Sequence, residues 1–198
     1  MEHNDINFDF NEFVEILPRV KQALYPDYLR PRRAAVFLIF YHELSPGILA
    51  IHKKDIPGYP WRNQIALPGG HIESKDPSAK QAAYREVKEE LGIDSDDLVY
   101  KASLGHFPTI NNIDIEVIMG FLKIKVKLVP DPREIQRIIK IPWFELRRIH
   151  YQNGFSKTIP TLQKLTYSIA SDDGGYTIWG VTARILHYLL EQLRLHGF

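Results

Sequence analysis

The run AAVFLIFY (Ala34 to Tyr41) carries no charged residue at any position. Successive side chains of a β-strand point to opposite faces of its sheet. An unbroken apolar run of this β-branched and aromatic character therefore reads as a strand buried on both faces. A sheet built around it needs covering layers on both sides, which excludes a one-sided antiparallel sheet and points to a sheet between helices.

The rest of the chain supplies those parts. Asn11 to Leu24 reads as a helix with an apolar stripe of Phe10, Phe13, Val14, Leu17 and Leu24, kinked at Pro18. Ser45-Pro46-Gly47 is a turn signal, and GILAIHK (Gly47 to Lys53) a second hairpin strand. A helix is expected from near Ser78, with Ser78 and Gln81 as a capping box or, nearly as good, Asp76 as cap with Pro77 at the first position, to a C-cap at Gly92. LVYKASLGHF, IDIEVIMGFLKIKV and EIQRIIKIPW read as strands. A short helix is expected around Phe144 to Arg148 and a loop from His150 to Thr161. In the last element, TIWGVTARILHYLLEQL, Ile178, Val181, Ile185, Leu189 and Leu193 share one helical face. The fold class is α/β, a mixed sheet between helices with an additional N-terminal helix.

Composition narrows the chemistry. At 198 residues the chain fits one domain. A formal net charge of +1 gives no bulk attraction for nucleic acid or anionic lipid. The absence of cysteine excludes disulfides and thiolate chemistry. No apolar stretch is long enough to span a bilayer, and the acidic, polar N-terminus lacks the character of a signal peptide. The expectation is a cytoplasmic protein with a small-molecule partner, no nucleic acid and no membrane.

Within the expected 78–92 helix, REVKEELGI places Glu86, Glu89 and Glu90 at spacings that share one face. Like charges so placed repel, costing a few tenths of a kcal/mol per pair. A hard divalent cation such as Mg²⁺ turns this repulsion into coordination. A charge-rich exposed helix would show the same glutamates. What favours the metal reading is the Pro68-Gly69-Gly70 turn and loop upstream, where backbone can approach a ligand closely. Arg85, four residues before Glu89, is placed to offset the repulsion.

The segment GGHIESKDPSAKQAAYREVKEELGI resembles the Nudix box, the loop-helix-loop signature of Mg²⁺-dependent hydrolases of nucleoside diphosphate derivatives. Eight residues, Pro77 to Tyr84, stand between Asp76 and Arg85 where the usual box has seven. That spacing, with Asp76 as the acid, resembles the coenzyme A pyrophosphatase branch. The upstream stretch AIHKKDIPGYPWRNQIALPGG is similar in length to that branch's coenzyme A motif, and IEVIMGFL, PREIQRIIKIP and TIWGVTARIL to its later segments. The chain differs from that motif at Lys54-Asp55, Gly58-Tyr59, Trp61 and Asn63.

The resemblance implies the Nudix α/β/α sandwich, with residues 1–30 as an N-terminal helical extension and 31–198 as the hydrolase domain. It implies cleavage of coenzyme A or acyl-coenzyme A to 3′,5′-ADP and a 4′-phosphopantetheine product. The alternatives are ADP-ribose, NADH or another nucleotide as substrate, and a catalytically silent nucleotide-binding domain. Glu86, Glu89 and Glu90, with the Gly70 carbonyl, become the Mg²⁺ (or Mn²⁺) ligands, and Arg85 orients a glutamate. Glu134 is the further metal-ligand candidate and, ahead of Glu116, the candidate remote base. Lys53, Lys54 and Arg62 are phosphate-binding candidates, Tyr59 and Trp61 base-stacking candidates. Glu73 and Asp76 support the loop, His71 is an incidental loop histidine, and Trp179 is core. A homodimer is compatible with the apolar N-terminal stripe.

Overall fold

The computed structural model describes residues 9–24, 32–43, 45–58, 61–155, 165–170 and 175–198. Helix α1 (Phe10–Ile16) is capped by Asp9, whose carboxylate accepts from the amides of Asn11 and Glu12. It is shorter than its apolar stripe suggested. At Pro18 the missing amide donor ends the α-pattern in one 3₁₀ turn, Leu17–Arg19. Beyond it the chain is extended, and Ala23 exchanges backbone hydrogen bonds with Leu104 and His106. Leu24, expected on the buried stripe, is 82% exposed.

The main sheet contains β1 (Arg32–His42), β2 (Pro46–Lys53), β3 (Ile65–Ala66), β4 (Gly69–His71), β5 (Leu98–Pro108), β6 (Ile113–Leu122) and β7 (Ile135–Pro142). β1 and β6 run parallel, and every other pairing in this sheet is antiparallel. One edge of β1 is shared: residues 34–36 pair with β4 and residues 39–42 with β2. β2 likewise leaves β1 and pairs its far end with β3. The two strands thus splay into a fork, filled by the segment carrying Gly69 and Gly70. A hairpin of β8 (Tyr167–Ile169) and β9 (Tyr176–Ile178) lies beside the sheet.

Helix α2 (Ala79–Leu91) covers one face, burying Ala82, Ala83, Val87 and Leu91 against Ala35, Phe37 and Ile39. Burial of Val87 or Leu91 contributes roughly 1.5–3 kcal/mol each. Helices α3 (Trp143–Gln152), α4 (Gly180–Arg194) and α1 cover the other face, where Phe13 packs edge-on to Phe40 and beside Trp143. The both-faces-buried reading of β1 holds, with Phe37, Leu38 and Ile39 all fully enclosed.

Three boundaries differ from the periodicity. β6 stops at Leu122, and Lys123 to Val126 leaves the sheet through Lys125 at φ 67°. α3 runs on to Gln152, beyond the expected Arg148 and into the expected loop; residues 156–161 of that loop lie outside those described. Ile178 belongs to β9, because the chain turns at Gly180, φ 67°, the first residue of α4. Trp179 is consequently at the helix entrance and half exposed, not core.

Between α3, β8 and α4, His150 is buried with its Nε2 2.8 Å from Glu191 Oε1 and its Nδ1 3.0 Å from the Tyr167 hydroxyl. Burial holds its pKa below the usual histidine value. The folded state therefore prefers the neutral ring, and stability present above about pH 6.5 is lost as pH falls below it. Thermal melts between pH 7.5 and 5.5 should show this loss in the wild type and less of it in His150→Gln.

Candidate active site

The glutamate helix is fixed locally. Ser78 Oγ accepts from the Gln81 amide at 3.2 Å, and Gly92 adopts the left-handed conformation at φ 68° that ends it. With Val87 and Leu91 on the core side, the three glutamates fall into three environments. Glu89 is exposed, Glu86 is partly buried, and Glu90 is 3% exposed.

A buried carboxylate requires partners. Glu90 Oε2 accepts from the Gly69 amide at 2.8 Å, and Oε1 is bound by the Lys53 ammonium. Burial outweighs both and pushes the Glu90 pKa up to about 7. Burial also raises Glu86, against the pull of Arg85. The backbone at Gly69 stands so close to β1 that a Cβ would lie 2.3 Å from the Ala35 carbonyl oxygen, at φ +149°. Only glycine fits there.

Arg85 organises the outer side. Its guanidinium holds Asp76 through two parallel bonds of 3.0 and 2.9 Å and donates to the His71 carbonyl at 3.1 Å. One nitrogen, Nη1, also donates to Glu86 at 2.8 Å and Glu89 at 3.0 Å. Glu73 stands 3.6 Å away, and its own amide donates to Asp76. The Arg85 hydrogen bonds hold Asp76 below the usual carboxylate range. Asp76 thus ties the loop to the helix, and Arg85 sets the directions of two glutamates.

Beside this cluster, between the Ala34–Val36 face of β1 and helix α4, is a cavity lined by Ala34, Val36, Ile115, Val181 and Ile185, with Lys53, Trp61, Gly69 and Gly70 also in its wall. Trp61 sits at φ 65° and Asn63 at φ 55°, conformations that cost on the order of 1–3 kcal/mol each. Asn63 is held by His52 Nε2 at 2.9 Å. This strained turn sets Trp61 against the cavity, its ring 5.4 Å from that of His71.

The other expected binders are placed differently. Lys53 is buried on Glu90 and stands 3.8 Å from Glu134. Lys54 donates to the Pro132 carbonyl, and Arg62 pairs with Asp55 at the surface. Tyr59 lies outside the described residues. Glu134 is carried to the cluster by the 129–134 loop, whose Val129 and Asp131 amides donate to the Leu91 and Glu90 carbonyls. Glu116 is held by Arg33 at 3.3 Å, two strands from Gly70 across Ala35. Sequence reasoning missed the contribution of α4 to the cavity: Val181, Thr182 and Ile185 have the spacing of an ordinary core face.

A NUDIX domain model matches residues 30–165. The chain belongs to the Nudix family. An uncharacterized Nudix hydrolase, NudL, of Enterobacter sp. (strain 638) is 24% identical over 98% of both chains. Nudix hydrolase 15 of Arabidopsis thaliana, described as mitochondrial, is 27% identical over 81% of this chain and 58% of its own. Among solved structures, a MutT/nudix family protein from Enterococcus faecalis superposes with a TM-score of 0.55 at 14% identity, covering 96% of this chain and 75% of that one. This Nudix chain is a phosphoanhydride hydrolase acting on pyrophosphate bonds of nucleotide derivatives. Among the described residues, no helix is long and apolar enough to cross a membrane.

Nudix hydrolases generally use a divalent metal such as Mg²⁺. Among the described residues no three His, Asp or Glu side chains form a closed ligand set, because Arg85 and Lys53 hold the glutamates. The donor chemistry nevertheless fits a hard cation. Glu86 and Glu90 are carboxylate oxygen donors, one partly buried and one buried, on a single turn of α2 beside the Gly69-Gly70 backbone, the donor type a hard cation takes. A Cβ on Gly70 would lie 2.5 Å from Glu86 Oε1, displacing that carboxylate rather than backbone. Gly70→Ala is therefore expected to lower kcat about 10²-fold while the thermal midpoint changes little, as steady-state kinetics and calorimetry would show.

Proposed function

We propose that this chain is a Mg²⁺-dependent (or Mn²⁺-dependent) pyrophosphatase of coenzyme A and its acyl esters. The observation that carries the reading is the junction of two environments. The carboxylates of Glu86 and Glu90 stand against Gly70 and the Gly69 amide, and those two glycines line an apolar cavity walled by β1, β6 and α4. A pyrophosphate sits at the first while a nucleoside or an uncharged arm enters the second. The Asp76-to-Arg85 spacing supports the coenzyme A assignment.

In this reading Glu86, Glu89, Glu90 and the Gly70 carbonyl would hold the cation, and Glu134, 3.8 Å from Lys53, serves as the base. The cation supplies charge neutralisation on the pyrophosphate oxygens and a lowered pKa for water. Arg85 keeps Glu86 and Glu89 aimed, through its anchor on Asp76. Lys53 fixes Glu90 at the mouth of the cavity. Water forms one new P–O bond, the bridging P–O bond breaks, and Glu134 takes the proton. The Gly69 amide stays on Glu90 and keeps the loop in register.

A second reading, with ADP-ribose, NADH or another nucleotide as substrate, is favoured by Trp61, whose ring offers a planar base a stacking surface. Product analysis by chromatography and mass separates the two. Release of 3′,5′-ADP from coenzyme A in preference to cleavage of ADP-ribose or NADH supports the first. The reverse preference transfers the assignment to the second.

A further inference from the structure

Two polar side chains in the cavity wall, Gln64 and Thr182, take no part in the hydrolysis chemistry. Lys53, in the same wall, is engaged by Glu90. Neither the Gln64 carboxamide nor the Thr182 hydroxyl has a hydrogen-bond partner among the described residues. Thr182 is buried and Gln64 partly so. Polar groups in such surroundings are normally paired, and one without a partner costs about as much as a lost hydrogen bond.

The backbone of Gln64 is anchored on both sides. Its carbonyl accepts from the Lys53 amide at 3.0 Å. Before it, Asn63 is held by His52; after it, Ile65 is buried and pairs with His52 across β2 and β3. The same turn carries Trp61 in its left-handed conformation, three residues ahead of Gln64. An aromatic face and a carboxamide therefore leave one short, strained segment and line one cavity. Thr182 joins them from α4, and the wall between is aliphatic. Apolar walls, one aromatic ring and a few fixed polar groups suit a flat heterocycle better than an extended flexible arm. A carboxamide sets an acceptor beside a donor. Its complement is the adenine edge on which the 6-amino group neighbours N7. Guanine and hypoxanthine place two acceptors on that edge, which would leave the carboxamide oxygen facing a carbonyl.

We propose that Gln64 is the specificity-determining residue for the base, reading the 6-amino group and N7 of an adenine stacked on Trp61. Gln64 Oε1 accepts from the amino group and Nε2 donates to N7, while the Thr182 hydroxyl donates to a ring nitrogen from the α4 wall. The inference rests on the reading of the cavity as the nucleotide pocket, and it decides which end of the substrate enters: the base, not the uncharged arm. It selects 6-aminopurine over 6-oxopurine nucleotides, and it holds equally for coenzyme A, ADP-ribose and NADH.

The test is equilibrium binding, by calorimetry on the full chain, of 5′-AMP against inosine 5′-monophosphate. These two differ at the edge that Gln64 reads. The wild type is expected to prefer AMP about tenfold, the effect of one bidentate contact. Gln64→Met keeps the length of the side chain and removes both hydrogen bonds, so the preference should fall to about twofold or less. The carboxamide bonds nothing in the protein, so the thermal midpoint should stay where it is. Thr182→Val should weaken both nucleotides to a similar degree and leave the preference intact, as should Trp61→Leu. Equal binding of the two nucleotides by the wild type, binding of neither, or an undiminished preference in Gln64→Met would overturn the proposal. Turnover of coenzyme A checks the pocket separately. A preference for AMP without coenzyme A cleavage would remove the coenzyme A assignment and leave the base site standing. Cleavage of coenzyme A with equal binding of AMP and inosine 5′-monophosphate would do the opposite.

Discussion

Glu90→Gln is expected to lower Mg²⁺-dependent turnover by about 10³-fold, the loss of several kcal/mol of transition-state stabilisation. The amide is isosteric, so its oxygen still accepts from the Gly69 amide and the loop keeps its position. What disappears is the negative charge, at the most enclosed of the three glutamates. Steady-state kinetics on whichever pyrophosphate the wild type cleaves best will give the ratio. A variant with near-wild-type kcat would mean that Glu90 is only the structural partner of Lys53. A silent binding domain would have no Mg²⁺-dependent turnover to lose.

The second large effect is on stability. Lys53→Met leaves Glu90, and Glu134 beside it, without the cation that separates them. Removing one partner of a buried ion pair costs about 3–5 kcal/mol. Here the lower end applies, because Glu90, with its pKa already pushed up to about 7, escapes part of the penalty by taking a proton. For a chain of this size that is a fall of roughly 6–12 °C in thermal midpoint. The sign with pH follows. Without Lys53 the folded-state pKa of Glu90 rises further above its unfolded value, so the folded variant binds the extra proton and loses stability as pH rises. The deficit relative to wild type should be larger at pH 8 than at pH 6, as melts at the two values would show.

Much of the site was legible because its signals are local. The helix limits at Ser78 and Gly92 are set by a cap and a left-handed glycine within the segment itself, and both stand where the pattern put them. The doubly buried β1 was legible for the same reason. What the sequence hid depends on distant partners. Lys53, at the end of a strand and next to Lys54, looks like a phosphate ligand, yet 37 positions on Glu90 claims it. Trp179 looks like core until Gly180 turns the chain outward. The face Val181-Ile185 has the same periodicity whether it packs on a core or lines a cavity, and only its placement opposite Ala34, Val36 and Ile115 decides which.

The central claim is hydrolysis of the coenzyme A pyrophosphate at this glutamate cluster. It is tested most directly by mass analysis of products formed from coenzyme A and Mg²⁺ in ¹⁸O-labelled water. The account predicts 3′,5′-ADP and 4′-phosphopantetheine, with one ¹⁸O atom in one of the two products, and no such products from Glu90→Gln over the same interval. Coenzyme A recovered intact, under conditions in which ADP-ribose or NADH is cleaved, would contradict it.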